Sequence, residues 1–417
     1  MNPKILLMAL AVLAADATCA VASVKLASPF TDHMVLQRGE PVPIWGTCST
    51  AGDLITVRFD GQTQTATADA DGRWRVLLAP LTAGGPYEMT AETADDRLRL
   101  EDVLVGEVWL ASGQSNMDFT LAKTPKYYFA GANNEAAEVA AANYPQIRMF
   151  TGEWARSYDP RPEVGGSWKI CTPENAREFS AIAYFFARDL QRALHVPVGI
   201  VTLTYGASTA QAWIRREAIA ADPRLAPELA AFDAKVRSYV PPSAGELARW
   251  QAVAAQPRAS GQRAPRRPHP DPVADQHNPT VLYNGMIAPF VPYAIRGILW
   301  YQGESITGPH ELFPVWNQTL IKDWRKLWGR ELPFYFCQLS AQEASSNSPE
   351  VRALQAEALA LPATAMAVTI DIGDRHNVHP KDKQDVGDRL TRIALAEAYG
   401  QPVEPSGPEY QSAAVAG

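Results

Sequence analysis

VLVGEVWLASGQSNM (103–117) is the stretch that decides the fold. Its first nine residues form a short, almost continuously apolar run, the pattern of a strand buried on both faces. Four more such runs follow: VGIVTLT (198–204), GILWY (297–301), PFYFCQL (333–339) and MAVTIDI (366–372). Between them lie helical stretches such as FSAIAYFFARDLQRAL (179–194), whose Phe179, Ile182, Phe186 and Leu190 fall on one stripe. Buried strands separated by helices predict an α/β fold with a parallel sheet flanked by helices. In such sheets ligands bind beyond the carboxyl ends of the strands.

Upstream the pattern differs. In LITVRF, Ile55, Val57 and Phe59 alternate with polar residues, and in RWRVLL, Trp74, Val76 and Leu78 do so. Asp60-Gly61 and Asp71-Gly72 are hairpin signals, because a two-residue turn of this type needs positive φ. Residues 23–101 are therefore expected to form a small all-β sandwich, with 102–400 as the α/β unit. Residues 216–280 read as an insert, helical to 256 and then rich in Pro and Arg.

The whole chain agrees with this division. Its 417 residues exceed one core, and 47% hydrophobic against 20% charged residues is an ordinary globular balance. A net charge of −7 argues against a general nucleic-acid or anionic-membrane surface. Lys4, the apolar run ILLMALAVLAA (5–15) and Ala20-Val21-Ala22 read as a signal peptide over 1–22, too short to span a bilayer. Export to the periplasm or the exterior is the expectation. Loss of Cys19 with that leader leaves Cys48, Cys171 and Cys337, which allow at most one bridge and have no metal-ligand spacing.

Chemistry-bearing residues gather at the expected strand ends. Ser115 follows the first strand in Ser112-Gly113-Gln114-Ser115-Asn116, where a turn exposes a hydroxyl to backbone N–H groups. Tyr205-Gly206-Ala207-Ser208, Gln302-Gly303-Glu304-Ser305 and Asp371-Ile372-Gly373-Asp374-Arg375-His376-Asn377-Val378-His379 follow the others. Acyl transfer needs a nucleophile, a neutral imidazole and donors for the tetrahedral oxygen, and this order supplies all three. Trp213 and Tyr205 are candidate substrate contacts. No metal site is expected, since the remaining histidines have no ligand-like spacing with His376 and His379.

GEVWLASGQSNM, TYGASTAQAW, LYNGMIAP with GILWYQGES, and DIGDRHNVHPKDKQDVGDRL together resemble the sialate O-acetylesterase family of SGNH hydrolases. DHMVLQR, VPIWG and AGGPYEM are similar to that family's leading β-region. The resemblance implies an SGNH-type sheet and a serine esterase acting on an O-acetylated sugar without metal or organic cofactor. It implies Ser115 as nucleophile and His379 as base. Ser115, Gly206 and Gln302 would supply the oxyanion donors, and Gln114, Asn116, Glu304 and Trp213 would lie at the substrate site. Asp374 is the nearby carboxylate assigned to orient His379, with Asp371 as the other candidate and a Ser-His pair plus a backbone carbonyl as the alternative. Acetylated xylan or xyloglucan is the alternative substrate, and a non-catalytic sugar-binding protein or a metal-dependent phosphoesterase or nuclease using the histidine cluster is the alternative class. Arg215 and Arg352 read first as surface residues, with a sialate carboxylate as the alternative partner of either.

Three positions depart from the family pattern: Ala207 for a glycine, Gln211 for a glutamate and Ile306 for an asparagine. Residues 401–417 resemble the start of a further β-region. A chain truncated there is expected to be less stable or to oligomerise, and its oligomeric state is left open.

Overall fold

The computed structural model describes residues 23–256, 265–343, 349–408, 412 and 414. The expected leader, part of the Pro/Arg-rich loop (257–264) and residues 409 and 410 lie outside the described residues.

Seven strands come first along the chain, β1 (Val24–Leu26), β2 (Val35–Gln37), β3 (Val42–Cys48), β4 (Leu54–Phe59), β5 (Gln62–Thr67), β6 (Arg73–Leu78) and β7 (Gly84–Glu92), of which β1, β3 and β6 form a small sheet and the others join the larger one. Then come β8 (Arg97–Gly113), β9 (Tyr144–Thr151), β10 (Trp168–Cys171), β11 (Val198–Thr204), β12 (Gly297–Tyr301), β13 (Phe334–Cys337) and β14 (Thr364–Ala367). Asp60-Gly61 does close an antiparallel hairpin, β4 with β5. Asp71-Gly72 does not: β5 pairs with β4 while β6 pairs with β3, so this turn carries the chain between two sheets.

The larger sheet is mixed. Its central order is β10-β9-β11-β8-β12-β13-β14, parallel from β9 to β14 with β10 antiparallel at the edge. β8 is 17 residues long and belongs to both regions, pairing with β7 and β2 at its start and with β11 and β12 at its end. The division expected at 101–102 falls inside this strand.

Both faces of the sheet are covered, which is why its strands read as unbroken apolar runs. Trp109 and Ala111 pack on one side with Ile182, Phe186 and Leu190 of the helix Ala181–Leu194 and with Val386 and Leu390 of the helix Lys383–Ile393. Val108 and Leu110 face the opposite side, in the same core as Trp316, Leu320 and Trp324 of the helix Phe313–Trp328. The last strand is shorter than MAVTIDI suggested: β14 ends at Ala367, and Ile370–Ile372 is a single 3-10 turn. Cys48, Cys171 and Cys337 are buried free thiols.

Register places the site. Gly113 pairs with Thr204 on one side and with Tyr301 on the other, so three loops start from one rung.

Candidate active site

The nucleophile turn depends on Gly113. Its φ is +131°, and an added Cβ would lie 2.1 Å from the Tyr301 carbonyl oxygen, so only glycine fits. The neighbouring rims are stitched here, with Gln114 N–H donating to Tyr301 O at 2.9 Å and Tyr205 N–H to Gly113 O at 3.0 Å. The chain then enters the one-turn helix Ser115–Asp118, whose Met117 and Asp118 N–H groups both donate to Gln114 O. Asp118 braces the turn from beneath: it is buried, accepts from Thr204 Oγ1 at 2.7 Å, and burial raises its carboxyl pKa.

Ser115 Oγ lies 2.8 Å from His379 Nε2 although the residues are 264 positions apart. His379 is held by its own loop: its N–H donates to Asn377 Oδ1 at 2.9 Å, and Asn116 Nδ2 donates to Val378 O at 2.9 Å. Phe129 stacks on the imidazole with centroids 4.3 Å apart. Burial, helped by the positive charge of Lys383, pushes the imidazole down to about 4. It is therefore neutral, the form that accepts a proton, at every ordinary pH.

Asp374 does not orient this histidine. Its side chain is exposed and accepts the His376 N–H at 2.9 Å, closing its own turn. Asp371 is occupied too, in a two-contact ion pair with Arg389 at 2.6 Å. No carboxylate figures among the groups that shift His379. An Asx turn near the histidine is easily mistaken in sequence for a triad acid, because both place Asp a few residues upstream.

On the oxyanion side, a Cβ on Gly206 would have Ser115 Cβ as its nearest neighbour, at 3.9 Å. Neither the Ser115 nor the Gly206 N–H enters a hydrogen bond among the described residues. Gln302 differs from expectation. Its Nε2 donates to Ser208 O and Ser305 O at 3.2 Å and approaches Gln114 Oε1 at 3.4 Å, so both amide hydrogens are already engaged. It shapes the turn and is not free to donate to a substrate oxygen.

The other expected substrate contacts are structural. Trp213 is fully buried, its Nε1 donating to Ser208 Oγ at 3.0 Å and its ring perpendicular to Trp300. Gln114 is buried, with Oε1 accepting from Ser305 N at 3.3 Å. Arg215 binds Asp323 at 2.5–2.7 Å and is not available for a sugar carboxylate. Asn116 is wholly buried and works as a hub: Nδ2 also donates to Glu304 Oε1, and Oδ1 accepts from Lys383 Nζ at 2.6 Å. Glu304 is buried and its pKa is raised by that burial.

Lys383 and Phe129 were missed in the sequence. Lys383 is fully buried, its ammonium 4.7 Å from the Phe119 ring centroid, and burial brings it down to about 7. A lysine four places after His379 and facing inward at a helix start was the available signal. Phe129 carried none, because its loop has no periodicity.

The departures have local meanings. Ala207 adopts φ +54°, a conformation natural to the glycine it replaces. Gln211 donates to Glu228 Oε1 at 2.9 Å and Thr307 Oγ1 at 2.7 Å, and Ile306 packs against the core. Among the described residues no three His, Cys, Asp or Glu side chains converge as metal ligands, and no helix is long and apolar enough to cross a membrane.

Residues 274–396 match the family described as carbohydrate esterase, sialic acid-specific acetylesterase. The chain is 31% identical to the sialate O-acetylesterase of Rattus norvegicus over 90% of its own length and 74% of the relative's. It is 29% identical to that of Homo sapiens, over 90% and 71%. Among solved structures, a carbohydrate acetylesterase from Xanthomonas citri aligns with TM-score 0.76 and 34% identity, covering 94% of this chain and 79% of that one. Fold, rim and likeness together define a carbohydrate esterase, a carboxylic ester hydrolase. Within that class, the chain belongs to the sialate O-acetylesterase family.

Proposed function

We propose that this carbohydrate O-acetylesterase is a serine enzyme that works through an acetyl-enzyme on Ser115. The 2.8 Å contact between Ser115 Oγ and His379 Nε2 carries the reading. As Oγ attacks the acetyl carbonyl, His379 takes its proton, and the Ser115 and Gly206 N–H groups hold the oxyanion. The C–O bond to the sugar breaks, and the sugar alcohol leaves with the proton from His379. Water then attacks the acetyl-enzyme by the same route and releases acetate. Asn116 ties the serine turn to the histidine loop through Val378 O, in place of a triad carboxylate.

The substrate in this reading is O-acetylated sialic acid, on the strength of relatives bearing that name. The fold is read as SGNH type, supported by a parallel central sheet with Ser115, Gly206, Gln302 and His379 on the loops that follow β8, β11, β12 and β14. Residues 23–101 are read as a leading β-domain, and 1–22 as a leader for export, on sequence grounds. Ser115→Ala is expected to abolish acetate release from 4-nitrophenyl acetate and acetylated sialic acid with the circular dichroism spectrum unchanged. A folded Ser115→Ala protein that still turns over would overturn the mechanism.

A further inference from the structure

A chain of ring contacts leaves His379 and returns to Ser115. Phe129 stacks on the imidazole; Tyr127 lies 6.1 Å from Phe129 and 6.1 Å from Trp154; Trp154 lies 4.9 Å from Tyr205. The next residue is Gly206, which faces Ser115. The arc thus begins at the base and ends at the oxyanion side of the nucleophile. Apart from His379 itself, its members precede residue 274, outside the segment that matches the family description.

Core packing accounts for Tyr127 and Tyr205, which are buried, but not for the exposed rings joined to them. Trp154 is 44% exposed and Tyr128, in edge contact with Phe129, is 73% exposed. Single exposed aromatics need no explanation, but a contiguous set beside a reacting serine does. Lys126 holds its ammonium 4.3 Å from the Trp154 ring centroid and 4.9 Å from that of Tyr127. Lys126 and Tyr127 also line a cavity of about 450 Å³ whose other walls include Thr151, Asn175, a second cation, Lys169, and two carboxylates, Glu153 and Glu178. An apolar ring face beside a polar cavity matches a pyranose, which has C–H bonds on its faces and hydroxyls around its edge.

We infer that this arc is the subsite for the sugar, with Trp154 as its platform and Lys126 selecting sugars that carry an anionic group. The inference rests on the esterase reading above and deepens it. A sugar ring arriving on Trp154 displaces the exposed Lys126 side chain to its rim, where the ammonium meets a carboxylate. The sugar contributes binding energy remote from the acetyl group, so its loss lowers turnover of sugar esters and leaves a small aryl ester untouched.

The test compares kcat/KM on 4-nitrophenyl acetate, acetylated sialic acid and acetylated xylo-oligosaccharide. Trp154→Ala is expected to lose about thirtyfold on both sugar esters and less than about twofold on 4-nitrophenyl acetate, with Trp154→Phe restoring most of the loss. Lys126→Ala is expected to lose about fivefold on acetylated sialic acid alone. Equal losses on all three esters, or none on the sugars, would overturn the platform while the esterase reading stands. Equal losses from Lys126→Ala on both sugars would overturn the anionic preference. Wild-type protein that cleaves the aryl ester and neither sugar ester overturns the platform together with the sugar-ester reading.

Discussion

Acidification gives the sharpest test of how His379 works. Its folded pKa of about 4 lies below the ordinary 6.5, and the active form is the neutral one. Activity is therefore present above the folded pKa and is lost as pH falls through it. At about pH 5, an imidazole of pKa 4 is roughly nine-tenths neutral, whereas one of pKa 6.5 is only about one-thirtieth neutral. The predicted kcat/KM at that pH is thus about thirtyfold above that of an esterase whose histidine titrates normally. Stability falls in the same direction, beginning at a higher pH. The unfolded chain takes up this proton near 6.5 and the folded one does not, so the native state weakens as pH drops from about 6.5 toward 4. The assay is acetate release at low 4-nitrophenyl acetate concentration, from about pH 8 to 4, with circular dichroism at each point to hold the fold constant. An acid limb centred near 6.5 in folded protein would refute the argument. It would mean that burial and Lys383 do not govern the imidazole.

Other outcomes follow from the same site. Asp374→Asn should change kcat by less than about twofold, whereas removing the acid of a working triad costs several orders of magnitude; a hundredfold loss would place Asp374 on the imidazole after all. Lys383→Met removes the donor to Asn116 Oδ1 and should lower kcat about a hundredfold with KM little changed, the signature of a positioning residue. The same variant should raise the acid limb of the pH profile, since a positive charge near His379 is gone; an unmoved limb would exclude that coupling. Ala207→Gly should raise thermal stability by about 0.5–1 kcal/mol, because glycine accepts the φ of +54° without steric cost. A lowered melting temperature would contradict it.

What was readable from sequence divides by physical cause. The parallel sheet was legible because burial on both faces leaves an unbroken apolar run, Ser115 and Gly206 were legible as rim residues because they follow such runs closely, and His379 because its loop leaves the last run, although that strand ends early, at Ala367. Gln302 and Trp213 sit at the same strand ends and were misread. Position along the chain places a residue on the rim, but whether its amide is free depends on carbonyls contributed by Ser208 and Ser305. Asp374 failed for a related reason: sequence distance to His379 is short, yet the Asx turn directs its carboxyl to a backbone N–H. Lys383 was overlooked since lysines are almost always exposed, and here Asn116, Phe119 and Tyr301, with the charge of Glu304 nearby, make burial tolerable. The Asp71-Gly72 turn has hairpin chemistry, but tertiary packing decides that its two strands find other partners.

β8 acts as a spar common to both halves of the molecule. Its middle is clamped by Gln37, whose Nε2 donates to Glu107 and whose Oε1 accepts from Val108 N–H at 2.8 Å, while Arg38 pairs with Glu107 at 2.6 Å. Eight residues before Ser115, the strand that aims the hydroxyl is thus gripped by side chains from the leading strands, 69–71 positions upstream. Trimming the protein back to residue 102 would strip that grip and cut a strand midway, so a minimal esterase cannot be excised there. Melting should sweep through the leading strands and the acetyl-cleaving half as one event.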